Sequence, residues 1–120
     1  MKPCPLHQAL NVIGDKWSLL LLRDLLQGPK RYSAFCEQEG IPTNILAARL
    51  KRLQEAGLLT KQPYQQQPVR YEYLLTAKGA ALLPAIQKLA EWGMAYTDSS
   101  TPPEAFFSLT AAQVQKAQAS

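Results

Sequence analysis

A mainly helical fold carrying one small β-ribbon is what this sequence predicts, and three observations support the expectation. Apolar residues recur at three- and four-residue spacing through four separated stretches. One stretch near residue 70 alternates instead at every second position, and capping residues, glycines and prolines punctuate the boundaries. At 120 residues and 47% hydrophobic, the chain has the length of one domain and enough apolar material for a core without staples. Two cysteines and one histidine are too few for a disulfide framework or a structural zinc cluster, and they suit a reducing, cytoplasmic setting. The longest aliphatic run, Leu19 to Leu22, is far shorter than a membrane span, and residues 1–8 lack the apolar centre of a signal peptide. The expectation is a soluble, unexported protein.

Leu6, Ala9, Leu10 and Ile13 share one helical face, and Gly14 closes that first short helix. Asp15 caps the next segment, Trp17 to Leu26, whose apolar side chains surround most of the helix as in a central core helix; Gly28-Pro29 stops it. Lys30-Arg31-Tyr32 suits a basic, extended link, and Ser33 can cap a third short helix reaching about Gln38. A turn over Gly40 to Pro42 leads to Thr43, which opens a fourth helix, Asn44 to Ala56, ended by Gly57. Leu58 to Tyr64 and Val69 to Leu75 read as two strands. The second sets Val69, Tyr71, Tyr73 and Leu75 on one face against Arg70, Glu72 and Leu74. The polar tip Gln65-Gln66-Gln67 lies between Pro63 and Pro68, as in an exposed ribbon. Thr76 caps a long helix, Ala77 to about Tyr96, in which Pro84 implies a mild kink or a late start. Asp98 to Pro103 reads as a linker, and Thr101 and Glu104 have capping-box spacing. A last, weaker helix runs from about Glu104 or Ala111 to Ala119. Residues 1–97 are therefore expected to form one working domain, and 98–120 a linker and short helix of unknown role.

Charge is unevenly placed. Residues 30–78 hold eight basic side chains and four acidic ones, whereas the rest is balanced, so the whole net charge of +4 sits mid-chain. That suits a polyanionic partner. Within the fourth helix, Leu46, Leu50 and Leu53 make the buried stripe, and Asn44, Ala48 and Lys51 point the opposite way. Arg49 and Arg52 lie on one flank and Ala47 on the other. Its first turn carries no acidic residue, so an anion from outside would complement the helix dipole.

The order helix, helix, helix, tight turn, helix, two-stranded ribbon, helix is that of a winged helix-turn-helix. The fourth helix then reads the DNA major groove and the ribbon is the wing. Thr43, Asn44, Ala47 and Ala48 are small or polar enough to approach base edges, and Asn44 can pair with adenine in a bidentate manner. Arg49, Lys51 and Arg52 supply basic groups beside them.

Several stretches carry a resemblance: Cys4-Pro5, Gly14-Asp15-Lys16-Trp17, Lys30-Arg31-Tyr32-Ser33, Gly40-Ile41 with Leu46 and Arg49-Leu50, and Gly57-Leu58. Pro68 through Tyr71 to Tyr73, Leu75-Thr76, Gly79 and Trp92-Gly93 complete it. Over about residues 4 to 93 the chain resembles the HxlR-type winged-helix transcription regulators of bacteria. The resemblance implies a homodimeric DNA-binding repressor or activator, paired through the first and long C-terminal helices at Leu6, Leu10, Leu82, Ile86, Leu89 and Trp92. It also implies phosphate contacts at Lys30 and Arg31, groove contacts from Thr43 to Arg52, and a wing contact at Arg70. Lys16 is a further candidate for phosphate. Some regulators similar to this family sense oxidants or electrophiles through an N-terminal cysteine, which makes Cys4 a candidate sensor and an oxidant or small molecule a candidate effector.

Plain alternatives stand beside these readings. Arg49 can serve as an ion pair on the helix flank, Lys51 and Arg52 can pair with Glu55, and Lys16 can be a solvated surface lysine. Cys4 can be a small apolar residue where an N-terminal arm packs. Cys4 and His7 have the spacing of half a metal site without a second half, so no metal or other cofactor is expected. No phosphate loop or catalytic pattern points to an enzyme. The competing function is a winged helix that docks protein without reading DNA.

Overall fold

The computed structural model describes residues 2–119, so Met1 and Ser120, the outer ends of the two expected regions, lie outside it. Helices α1 (Pro5–Ile13) and α2 (Lys16–Leu25) lead to a two-residue strand, β1 (Lys30–Arg31). Then come α3 (Tyr32–Glu39), α4 (Thr43–Glu55), and strands β2 (Leu59–Gln66) and β3 (Val69–Leu75). The chain continues through α5 (Ala77–Ala80), α6 (Leu83–Tyr96), α7 (Glu104–Ser108) and α8 (Ala111–Ala119). The mainly helical class, with its three N-terminal helices, recognition helix and wing, is as expected.

Local chemistry explains most boundaries. The Asp15 side chain accepts from Ser18 N–H at the start of α2, and Thr76 accepts from Gly79 N–H at the start of α5. Gly40 and Gly57 end α3 and α4 with φ of 63° and 81°, left-handed values that cost other residues steric energy. Helix α3 starts one residue before Ser33; Arg31 is its N-cap residue and makes no side-chain capping bond.

The ribbon is part of a three-stranded antiparallel sheet in the order β1-β3-β2. The extended link at Lys30 and Arg31 pairs with Tyr73 and Glu72, which adds a strand to the expected two. β2 shifts register against β3 between Pro63 and Gln65. At the tip, the Gln65 side-chain amide donates to the carbonyls of Gln67 and Pro68 at 3.3 and 3.2 Å.

The long C-terminal helix is divided. α5 ends after one turn and α6 begins with Pro84 in its first turn, so the proline marks a late start, the position where its missing N–H costs least. The capping box expected at Thr101 does not form, because α7 begins after Pro103 and has no side-chain cap. A reciprocal box forms at α8 instead: Thr110 N–H donates to Gln113 Oε1 at 2.9 Å, and Gln113 N–H to Thr110 Oγ1 at 3.2 Å.

The core is built by Leu21, Leu22 and Leu25 of α2, Phe35 of α3, Leu46, Leu50 and Leu53 of α4, and Leu59 and Leu75 of the sheet. Val114 of α8 is fully buried in the same cluster. Gln118, also buried, accepts from Leu75 N–H at 2.8 Å and donates to the Leu25 carbonyl at 2.7 Å. The 98–119 segment thus packs into the core it was expected to follow. Gln87 of α6 holds its approach, donating to the carbonyls of Phe106 and Leu109 at 2.9 Å each. Among the described residues, no helix is long and apolar enough to cross a membrane.

Candidate nucleic-acid interface

α4 lies with its leucine stripe on the core, so the residues opposite that stripe face outward by necessity. Thr43, Asn44, Ala47, Ala48 and Lys51 are all exposed. The helix is held at its entry by α3: Tyr32 Oη donates to the Thr43 carbonyl at 3.1 Å, and Phe35 is fully buried beneath. Its first turn contains no acidic side chain, so its positive dipole end is uncompensated by the helix itself.

The two arginines of α4 behave differently from Lys51. Arg49 Nε donates to Asp15 Oδ2 at 2.8 Å, and Arg52 donates to the Asn11 carbonyl at 2.8 Å while standing 3.9 Å from Asp15 Oδ1. Both were expected to supply charge to DNA; the structure turns them back toward α1 and the start of α2. Asp15 is the hub of this joint, since it also accepts from Ser18 N–H at 3.0 Å and from the buried Ser18 hydroxyl at 2.6 Å. Burial acts to raise the Asp15 pKa. The bonds from Ser18 and Arg49, with the Arg49 charge, outweigh it and hold the carboxyl below its ordinary value of 3.8.

Further basic groups come from other elements. Arg31 is exposed at the junction of β1 and α3, with its guanidinium carbon 4.0 Å from the centroid of the Tyr64 ring. Its neighbour Lys30 is half-buried. Arg70 is exposed on β3, and Lys61 of β2 stands 4.9 Å from the Tyr71 ring centroid. Lys61, Tyr64 and Tyr71 were not among the sequence-derived site residues; the signal that could have found them is the cation–aromatic pairing across the strands. Tyr73 lies on the inner side, its ring edge-on to Phe35, and burial followed by the Tyr32 charge raises its pKa. Lys16 is exposed over the Trp17 ring at 4.5 Å, and Lys78 caps α4 by donating to the Ala56 carbonyl at 2.7 Å.

α1 exposes Leu6 and Leu10, and α6 exposes Leu89 and Trp92, with Trp92 61% exposed. The Trp92 and Tyr96 rings meet at 5.5 Å. Two of the residues expected at a pairing surface are less accessible: Ile86 is 7% exposed and belongs to the chain's own core, and Leu82 is half-buried against that core. An apolar cleft of about 520 Å³ runs between α2, α6 and the segment leading into α7, lined by Leu19, Leu20, Ile86, Leu89, Pro102 and Phe106 among others. Cys4 is an exposed free thiol that caps α1, its Sγ accepting from His7 N–H at 3.3 Å. Cys36 is half-buried beside the core.

A bihelical unit with an outward second helix, flanked by a three-stranded wing, defines a winged helix-turn-helix fold. The chain belongs to the HxlR-like helix-turn-helix family, whose model matches residues 12–111. An HTH-type transcriptional regulator of Mycobacterium bovis is 40% identical over 89 residues, 74% of this chain and 56% of that protein. The chain thus spans little more than half the length of that relative. YdeP of Bacillus subtilis, named an HTH-type transcriptional regulator, is 35% identical over 96 residues, 79% of this chain and 75% of its own. Among solved structures, the redox regulator HypR in its oxidised form superposes with a TM-score of 0.73 at 33% identity, covering 80% of this chain and all of HypR. The reduced form of the transcriptional regulator YodB from Bacillus subtilis gives 0.69 at 30% identity, covering 83% of this chain and all of YodB.

Proposed function

We propose that the protein is a sequence-specific DNA-binding regulator that acts as a homodimer on an inverted-repeat operator. The observation that carries the reading is the outward face of α4, where Thr43, Asn44, Ala47, Ala48 and Lys51 stand exposed with no acidic residue in the first turn. Asn44 reads a base edge, the alanines allow close approach, and Lys51, Lys30, Arg31, Arg70 and Lys16 bind phosphate. Arg49 and Arg52 orient the helix through Asp15 and Asn11. Exposed Leu6, Leu10, Leu89 and Trp92 form the pairing surface, and the two reading helices face successive major grooves about 34 Å apart.

Selection of bound sequences from a random duplex pool, followed by footprinting, tests readout and symmetry together. Asn44→Ala is expected to relax sequence preference, whereas Arg31→Ala weakens all duplexes alike. Affinity should fall steeply with salt; a flat response favours docking of a protein partner. We further propose that Cys4 makes the regulator responsive to oxidants. Its thiol is exposed, and a structural neighbour, HypR, is a redox regulator. Cys4→Ser is expected to abolish an oxidant response of DNA binding and leave basal binding intact; a response that survives removes Cys4 from the mechanism.

A further inference from the structure

We propose that Tyr64 is a positioning residue for DNA binding: its ring seats the guanidinium of Arg31 and holds that cation ready for a backbone phosphate where the wing meets the helix-turn-helix unit. The inference rests on the reading of the chain as a DNA-binding protein and deepens it.

Arg31 occupies a junction. It ends β1, pairs with Glu72 of β3, and is the backbone N-cap of α3, with φ −80° and ψ 156°. The backbone is fixed at this position, but a long arginine side chain leaving it samples many rotamers unless a neighbour seats it. Tyr64 comes from the far strand, β2, at the point where the register against β3 shifts between Pro63 and Gln65. Such irregularities re-aim side chains. Here Tyr64 meets Arg31 across the sheet, with the guanidinium carbon 4.0 Å from the ring centroid. Glu72, opposite Arg31 in the register, accepts from Gln62 Nε2 at Oε1, 3.1 Å away.

Stacking and phosphate binding use different parts of the group. The ring takes the guanidinium face, and the N–H donors lie in its plane, directed outward from the edge, where a phosphate accepts two of them. Seating the face therefore fixes the fork without consuming it. Ordering the side chain before DNA arrives removes an entropic cost that binding would otherwise bear. The contact also links β2 to the start of α3, so the placement of the wing and of the phosphate-binding group become one geometry.

The test is a double-mutant cycle read by fluorescence anisotropy on a selected duplex and on a random one, with thermal melting of each variant alongside. Tyr64→Ala and Tyr64→Leu are each expected to weaken both duplexes by about two- to fivefold, the range of an exposed cation–π contact. Tyr64→Phe, which keeps the ring, should bind as the wild type does. In an Arg31→Ala background, Tyr64→Leu should cost nothing more. Equal losses in the two backgrounds make Tyr64 a structural residue and overturn the proposal, as does wild-type affinity in Tyr64→Leu. A wild-type protein that binds neither duplex overturns the DNA-binding reading itself, an outcome distinct from the other two.

Discussion

Replacing Asp15 by alanine should loosen the joint between α2 and α4, and the cost can be worked from its contacts. The capping bond to Ser18 N–H contributes about 1 kcal/mol. The Ser18 hydroxyl, fully buried, loses its acceptor at 2.6 Å, a further cost of about 1 kcal/mol. The bond from Arg49 is charged and 2.8 Å long, but its side chains are 30% and 26% exposed, so solvent screening reduces it to about 1 kcal/mol. Asp15→Ala is therefore expected to cost about 3 kcal/mol. Asp15→Asn, which keeps a carbonyl for the cap, should lose mainly the ionic part, about 1 kcal/mol. Urea unfolding measures both as a fall in midpoint at unchanged slope. A cycle of Asp15→Asn with Arg49→Gln should show coupling of about 1 kcal/mol. Loss of less than about 0.5 kcal/mol in Asp15→Ala, with no coupling to Arg49, would refute the assignment of Asp15 as the hub.

The same carboxylate sets an acid sensitivity: its folded pKa lies below 3.8, so on acidification the unfolded chain takes up that proton first. Its contribution is thus complete well above pH 3.8 and lost as pH falls through the folded value; urea midpoints between pH 5 and 2 should drop more steeply in the wild type than in Asp15→Asn. A Cβ at Gly79 would stand 2.1 Å from the Leu58 carbonyl oxygen, so Gly79→Ala should cost at least about 2 kcal/mol, seen as a lower melting midpoint. Val114→Ala should cost about 2 kcal/mol by the burial lost and the cavity left, measured by urea unfolding; a loss near zero would mean that α8 is dispensable to the core.

Signals contained within a few consecutive residues were legible in the sequence. The Asp15 and Thr76 caps, the left-handed glycine after α4, and the leucine stripe of Leu46, Leu50 and Leu53 each depend on neighbours along the chain; β3 forms where expected, but its burial rises from Val69 to Leu75 instead of alternating between two faces. Features decided by distant partners were not. β1 is two residues long and exists because β3 lies beside it, so no local pattern announces it. Arg49 has the chemistry of a DNA contact and turns inward because Asp15, thirty-four positions earlier, is brought next to it. Ile86 shares the apolar character of Leu89 and Trp92, and the fold alone separates the buried one from the exposed ones. Thr101 lost its expected capping role to geometry at Pro103, whereas Thr110 and Gln113 realise the same device nine residues on.

The buried amide of Gln118 bears on how the protein is made. It closes bonds to Leu75 and Leu25, groups 43 and 93 positions earlier in the chain. On the ribosome, α2 and the strands emerge with the Leu75 N–H lacking its Gln118 acceptor, the Leu25 carbonyl bonded to Gly28 N–H but lacking its Gln118 donor, and the Val114 niche empty. Closing so wide a loop carries an entropic cost that local helices do not face. The nascent domain therefore stays open along one seam until α8 has been synthesised, and a ribosome stalled before residue 111 would hold a regulator with its core still accessible to chaperones and proteases.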